Sequence, residues 1–276
     1  MSKIVTHRNP HLDEIACIWM IKKFLTGWSD ARVSYIPTTP KGGNVTQPDA
    51  DVNTMYIGVG RGKFDEHKGN LEDSATTLVY KFLTAEKKIK LAPLEKIALL
   101  ELVEYINDDD HGRLINVPRS EYSAAVVMTY QSRIGKSSAE ILAFGCNYFD
   151  GLFACLVEKA ELTRDWKKAT AFKTRWGAAF GIQTKVNAKM VLRFAATHGA
   201  ILVIAVNPEN KFRSFRALAE SSVDLTKAYE IFRAREPKAE WYLHHSKRML
   251  ICGSDVAANL SLSRIPLTDL IAAIRV

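Results

Sequence analysis

The sequence predicts an α/β protein in three parts: a parallel-sheet domain over 1–120, a helical connector over 121–194 and a small α/β domain over 195–276. Three observations predict it. Short apolar runs alternate with helical periodicity in the first part, as strand–helix–strand units do. Helical stripes fill the middle almost without interruption, and β-branched runs return from Ala200 onward. No internal repeat breaks the series.

Residues 3–6 read as the first strand, and Ile15, Ile18, Trp19 and Ile21 set the period of the helix behind it. Residues 32–36 form a second strand, followed by a Pro/Gly-rich loop over 37–48. A third strand is expected over 55–59, ended by Gly58-Val59-Gly60-Arg61-Gly62, which cannot continue as regular strand. Helices are expected over 74–83 and 93–106, the second with Pro93 in the first turn, where no intrahelical N–H is needed. Within the connector, 139–142 and 152–161 carry apolar stripes, and Trp166, Phe172 and Trp176 add bulk. The last part reads as strands at 201–206, 212–217, 241–243 and 249–252, with helices at 223–234 and near 267–274.

With 276 residues and 47% hydrophobic content, the chain can bury a sizeable core. Its start lacks an apolar signal-peptide core, and no uninterrupted apolar run approaches a membrane span, so a cytoplasmic location is expected. Cys17, Cys146, Cys155 and Cys252 lack paired spacing, which argues for neither a disulfide framework nor a thiolate zinc site. The net charge of +8 is uneven. Residues 151–276 hold 20 Lys and Arg against 11 Asp and Glu, whereas 1–150 hold 18 against 19. An acidic metal-binding half beside a basic half suits an anionic substrate, with phosphate the obvious one. The basic residues lack the aromatic interleaving of a nucleic-acid stacking platform.

Three clusters carry candidate chemistry. The first, His7-Arg8-Asn9-Pro10-His11-Leu12-Asp13, falls where the first strand hands over to its helix, the edge at which open α/β sheets place ligands. Asp65-Glu66-His67 and Asn107-Asp108-Asp109-Asp110-His111-Gly112 follow later elements of the same half, the latter placed after a helix. Carboxylate and imidazole ligands suit Mn²⁺, Mg²⁺ or Zn²⁺. Repulsion among consecutive carboxylates is relieved by a bound cation. Each cluster alone also reads as a charged turn or a helix cap.

The first cluster resembles the opening motif of the DHH phosphoesterase superfamily, His-x-Asn-Pro-Asp-x-Asp. Asp65-Glu66-His67 is similar to its Asp-His-His triplet, and Asp110-His111-Gly112 to its later Asp-x-Gly. The phrase from Tyr56 to Lys68 looks closest to the melanocyte-proliferating-gene type exonuclease branch. The resemblance covers about the first 115 residues. It implies a metal-dependent phosphoesterase that acts on a nucleotide or short oligonucleotide, with a smaller substrate-binding domain to follow. It also implies that His7, His11, Asp13, Glu66 and Asp110 bind metal. His67 would lie beside the phosphate, and Asp65 would orient neighbouring ligands.

Three positions depart from that pattern. His11 stands for an Asp, Glu66 for a His, and Gly58 for the metal-bridging Asp expected at the end of the third strand. The alternative is therefore a degenerate member that binds a nucleotide or nucleic acid without hydrolysing it. In the last part, Arg213, Arg216, His244, Ser246 and Arg248 are the expected substrate-binding residues, with Lys211, Lys247 and the Gly253-Ser254 backbone beside them. The expected partner is a phosphorylated small molecule or a short single-stranded nucleic acid, with no membrane, and a homo-oligomer stays open.

Overall fold

A computed structural model describes residues 1–37, 47–68, 72–254 and 260–275. Most of the loop expected over 37–48 lies outside them. The chain divides into two compact units, Met1–Val157 and Glu158–Val276.

In the first unit, β1 (Lys3–His7) is the middle strand of a parallel three-stranded sheet, between β2 (Arg32–Ile36) and β3 (Thr54–Tyr56). Ile4 to His7 are all buried, as in a central parallel strand covered on both faces. The helix after it, α1 (Leu12–Phe24), has its first ten residues buried. Its Ile15, Ile18, Met20 and Ile21 are among the largest side chains wholly removed from solvent, each stabilising by about 1.5–3 kcal/mol. The remaining helices are α2 (Ala75–Lys81), prolonged by a π-helical turn over Phe82–Glu86, α3 (Pro93–Asp110), α4 (Ala124–Arg133) and the first part of α5 (Ser138–Trp166).

Contact between α1 and α5 is close. A Cβ on Gly145 would stand 2.5 Å from Ile15 Cγ2. Asp150 of α5 accepts from Trp19 Nε1 at 3.0 Å and pairs with Lys23 at 2.7 Å. By length and composition α5 could cross a membrane, with an 18-residue window of mean hydropathy 1.4. It is one such helix among the described residues, which is weak support, and its Phe149 and Phe153 pack into the first unit's core.

Two boundaries differ from the sequence reading. β3 stops at Tyr56, before 57–59, because Gly58 takes φ +61° and Gly60 φ +79°, and the Gly58 N–H donates to Phe64 O at 2.9 Å to close a turn. In turn, α3 runs through the triple Asp instead of ending before it.

The second unit carries six strands: β4 (Thr170–Thr174), β5 (Gly177–Gln183), β6 (Leu202–Val206), β7 (Arg213–Ala217), β8 (Trp241–Leu243) and β9 (Met249–Cys252). Their spatial order is β4-β5-β6-β7-β9-β8. Only β5 and β6 pair in parallel, joined through α6 (Ala188–Thr197), so the sheet is mixed. With α7 (Thr226–Arg235) and α8 (Leu267–Ala272) it encloses a core in which Phe232 and Trp241 stack at 4.9 Å between centroids.

The helical reading of 121–194 is corrected here, because β4 and β5 form a hairpin inside it. Thr174 Oγ1 donates to Gly177 O at 3.0 Å and accepts from Trp176 N at 3.2 Å. This side-chain turn, with Gly177 at φ +137°, reverses a chain whose aromatic spacing otherwise imitates a helix.

Candidate metal centre

β1 delivers His7 to the carboxyl edge of the parallel sheet, and Asn9 at φ +53° turns the chain into α1. His11 is the N-cap residue, and Glu14, three residues on, reaches back so that its Oε2 accepts the His11 backbone N–H at 2.9 Å. His7 Nε2 meets Glu14 Oε1 at 3.1 Å, while its Nδ1 lies 2.8 Å from Arg8 O. The His7 and His11 rings are 4.8 Å apart. His7, His11 and Glu14 thus each offer one ligand atom, all within 4.8 Å of one another.

The second group, Asp65, Glu66 and His67, brings its ligand atoms within the same distance. Asp65 Oδ1 holds His67 Nδ1 at 2.9 Å and its Oδ2 accepts from Arg61 N at 2.6 Å, so this buried carboxylate orients the turn. Glu66 Oε1 is 3.1 Å from His67 Nδ1, but its buried Oε2 has no hydrogen-bond partner among the described residues. An orphaned buried carboxylate oxygen is costly unless something absent from the chain satisfies it.

Asp110 ends α3, at the negative pole of that helix. With His11, Asp13 and Asp109 it lines a cavity of about 250 Å³. Asp108 instead pairs with Arg113 at 2.7 Å and is half-buried. Asp13 is tied to α2, its two oxygens accepting from Ala75 N at 3.1 Å and Thr76 N at 2.9 Å. Asn107 Oδ1 accepts from Ser74 N at 2.8 Å, so α2 is capped by two side chains from other helices.

Electrostatics shows the groups acting on one another. Burial opposes the His7 charge, but its hydrogen bond to Glu14 and the Glu14 charge outweigh it and lift the imidazolium to about 9. Burial likewise disfavours the Glu14 carboxylate, yet His7 and His11 hold it below the usual range. Burial pushes Asp13 up, with the charges of Glu14 and Asp110 adding to it. Glu66 and Asp110 are both raised by burial, and each also feels Glu14. Four crowded carboxylates with elevated proton affinity or close like-charged neighbours make a place where a cation is favoured.

Glu14 is the residue that sequence reasoning missed. Its signal was present as an acid three residues after the N-cap position, but a capping role explained it fully.

The residues expected to bind substrate lie around two cavities of the second unit. The larger, about 550 Å³, opens at the N-terminus of α6, where Asn187 Oδ1 accepts from Lys189 N at 2.9 Å. Lys185, Lys189, Arg213, Ser214, Arg216 and Gly253 line it, along with Glu158 and Glu209. The other, about 440 Å³, is lined by Arg193, His244, Ser246 and Arg248, and shares Lys189 and Arg216 with the first.

These side chains are not equally available. Arg213 donates through Nε to Ile265 O at 2.9 Å and through Nη1 to Lys211 O, and so braces the fold. Arg248 Nε is bound to Ser221 O at 2.7 Å, and His244 Nδ1 lies 2.9 Å from Ser246 Oγ within the β8–β9 turn. Lys211 Nζ donates to Pro208 O, and Lys247 pairs with Asp224 at 3.1 Å. By contrast, among the described residues Arg216 reaches only the weak acceptor Met249 Sδ through Nη1, and its Nε has no partner. Burial lowers its proton affinity, and the buried Ser214 Oγ beside it is also unpartnered. An uncompensated guanidinium next to a free hydroxyl is suited to an anion.

Comparison with solved structures finds weak likenesses. An uncharacterized protein from Helicobacter pylori G27 matches at 13% identity and a TM-score of 0.26, over 100% of this chain and 99% of that one. RecJ from Thermus thermophilus, in complex with Mg²⁺, matches at 14% identity and a TM-score of 0.29, over 99% of this chain but 48% of RecJ. Its complex with Mn²⁺ gives 13% and 0.29, over 98% and 51%. This chain spans about half the length of RecJ. A search of curated proteins finds no match. The family whose model matches is not the DHH one that the motifs resemble: it is "ChrB, C-terminal domain", over residues 4–156, which takes in both ligand groups and Asp110. With more than half of its length matched, the chain belongs to the family of the ChrB C-terminal domain.

Proposed function

We propose that the first unit binds a divalent cation, Mn²⁺ in preference to Mg²⁺ or Zn²⁺, and uses it to hydrolyse a phosphoester of a nucleotide or short oligonucleotide. The observation that carries this reading is the set of His7, His11 and Glu14 ligand atoms within 4.8 Å of one another, together with the unpartnered Glu66 Oε2. The absence of thiolates and the mixture of imidazole and carboxylate suit a metal of this class. His7, His11, Glu66 and Asp110 would hold it, with Asp13 fixing the start of α2. When bound, such an ion lowers the pKa of its water and draws charge from phosphoryl oxygens.

The chain's own groups supply the rest. Asp65 fixes the His67 ring through Nδ1, which leaves Nε2 for a phosphate oxygen. Burial opposes the His67 charge, but Asp65 and Glu66 raise its proton affinity. Arg216 Nε and Ser214 Oγ of the second unit, without partners among the described residues, support an anionic ligand there. Four free cysteines fit a reducing compartment, and we place the protein in the cytoplasm on that ground.

A panel of phosphomonoesters, dinucleotides and short oligonucleotides assayed with and without Mn²⁺ tests the reading. Metal-stimulated phosphate or nucleotide release that is lost in His7→Ala and Glu66→Gln is the expected result. Full activity in both variants would sink the site. The second reading, binding without hydrolysis, is favoured by Gly58, which leaves no acidic residue in the turn after β3 until Asp65. It predicts thermal stabilisation by a nucleotide with no turnover under any divalent metal.

A further inference from the structure

We propose that Glu14 is a cation ligand, standing in the space that the DHH pattern gives to a carboxylate at the end of the third strand. The proposal rests on the cation-site reading above. Gly58 is the point of departure. A Cβ built there would lie 2.6 Å from Glu14 Oε1 and 2.9 Å from Glu14 Cγ, so no side chain fits at 58 while Glu14 holds its place. The φ of +61° at Gly58 is one that Asp or Asn tolerates but most residues do not. Thus a carboxylate does occupy the volume beside the end of β3, and it arrives from the first turn of α1 instead of from the strand.

Its surroundings are those of a ligand. Glu14 is 5% exposed, and its Oε1 faces His7 Nε2 at 3.1 Å in a group that includes His11. A helix cap needs only Oε2, which takes the His11 N–H. Capping alone explains neither the burial of Oε1 against an imidazole nor the side-chain-free backbone at Gly58. The exchange is of position: Gly58 cedes the volume and Glu14 fills it, so the site keeps its carboxylate.

The test is calorimetric titration of the full chain with MnCl₂, read alongside the electron paramagnetic resonance spectrum of bound Mn²⁺. The expected result is binding by the unmodified protein and at least tenfold weaker binding by Glu14→Gln, which preserves shape and the hydrogen bond to His11. Because that variant could lose structure for other reasons, a relocation pair accompanies it. Glu14→Ala should bind poorly, and Glu14→Ala combined with Gly58→Asp should recover Mn²⁺ affinity, since a carboxylate then returns to the same volume from the strand. If the unmodified protein binds Mn²⁺ and Glu14→Gln binds it equally well, Glu14 is no ligand, while the cation site itself stands. If the unmodified protein takes up no Mn²⁺, the cation-site reading fails and takes this proposal with it.

Discussion

His7 Nε2 and Glu14 Oε1 lie 3.1 Å apart, an imidazole–carboxylate pair in which both side chains are at most 10% exposed. The pair makes the metal-free protein sensitive to alkali. The folded-state His7 proton affinity is raised to about 9 from the usual 6.5, so its stabilising contribution is complete below 6.5 and is lost as the pH climbs through 9. Urea unfolding in chelator at pH 6 and pH 9.5 should differ by about 1–3 kcal/mol from this pair. His7→Gln should flatten the difference, and an unchanged pH slope in that variant would show that the pair is not its source.

Asp13 carries a different burden from its neighbour. Because both of its oxygens accept N–H groups at the start of α2, Asp13→Ala leaves Ala75 N and Thr76 N buried without partners. Equilibrium unfolding should show a loss of about 2–3 kcal/mol. Glu66→Gln, whose Oε2 has no partner to lose, should cost far less stability while still weakening Mn²⁺ binding. A stable Asp13→Ala would contradict the capping geometry.

The α1–α5 contact leaves no room for a methyl group. Gly145→Ala pushes a Cβ to 2.5 Å from Ile15 Cγ2 and should destabilise the protein by about 1–3 kcal/mol. Ile15→Ala alone opens a cavity at about 2–5 kcal/mol. Combined, the two should cost less than their sum, because each change makes space for or fills the other. Strict additivity in a double-mutant cycle would mean that the helices do not meet there.

In the second unit, Arg216→Ala should weaken the binding of inorganic phosphate or a nucleoside monophosphate by about tenfold or more, the worth of a charge-assisted hydrogen bond. Ser214→Ala should weaken it less, while Arg213→Ala should lower the melting temperature, since Arg213 serves the backbone at Ile265 and Lys211. Phosphate titrations followed by calorimetry separate these outcomes. Equal affinity in Arg216→Ala would remove the anion site.

Thiol reactivity offers a check on burial. Cys155 is exposed and should be alkylated first at pH 8. Burial pushes the Cys146 thiol up to about 11, which should make it slow, and buried Cys17 and Cys252 should label only on unfolding. Mass spectrometry after timed iodoacetamide treatment gives the order, and early labelling of Cys17 would contradict the packing of α1.

Strand limits were legible wherever turn chemistry bounded a β-branched or aromatic run. β2, β8 and β9 fall where the sequence puts them. β4 and β5 were not legible, because Phe172 and Trp176 stand at helical spacing and the turn depends on a hydrogen bond from Thr174 to a residue three further on. The ends of β3 and α3 shifted for local reasons, glycine backbone in one case and continued helix through Asp108 to Asp110 in the other. At the site, His7, His11, Asp65, Glu66 and His67 were all named from the sequence, and the structure places them in two separate groups of possible ligand atoms. Glu14 could not be, since its position gains meaning only when Gly58 is seen beside it.

The double capping of α2 has a kinetic consequence. Asp13 adjoins Glu14, and Asn107 stands one turn before Asp110, so two of the helix ends that carry candidate ligands are clamped to the same helix start. Their spacing is therefore fixed once α2 has docked, before any ion arrives. Ion uptake should follow the rate at which the hydrated cation sheds water, with no slow phase from chain ordering, and stopped-flow traces should show a single step that scales with ion concentration.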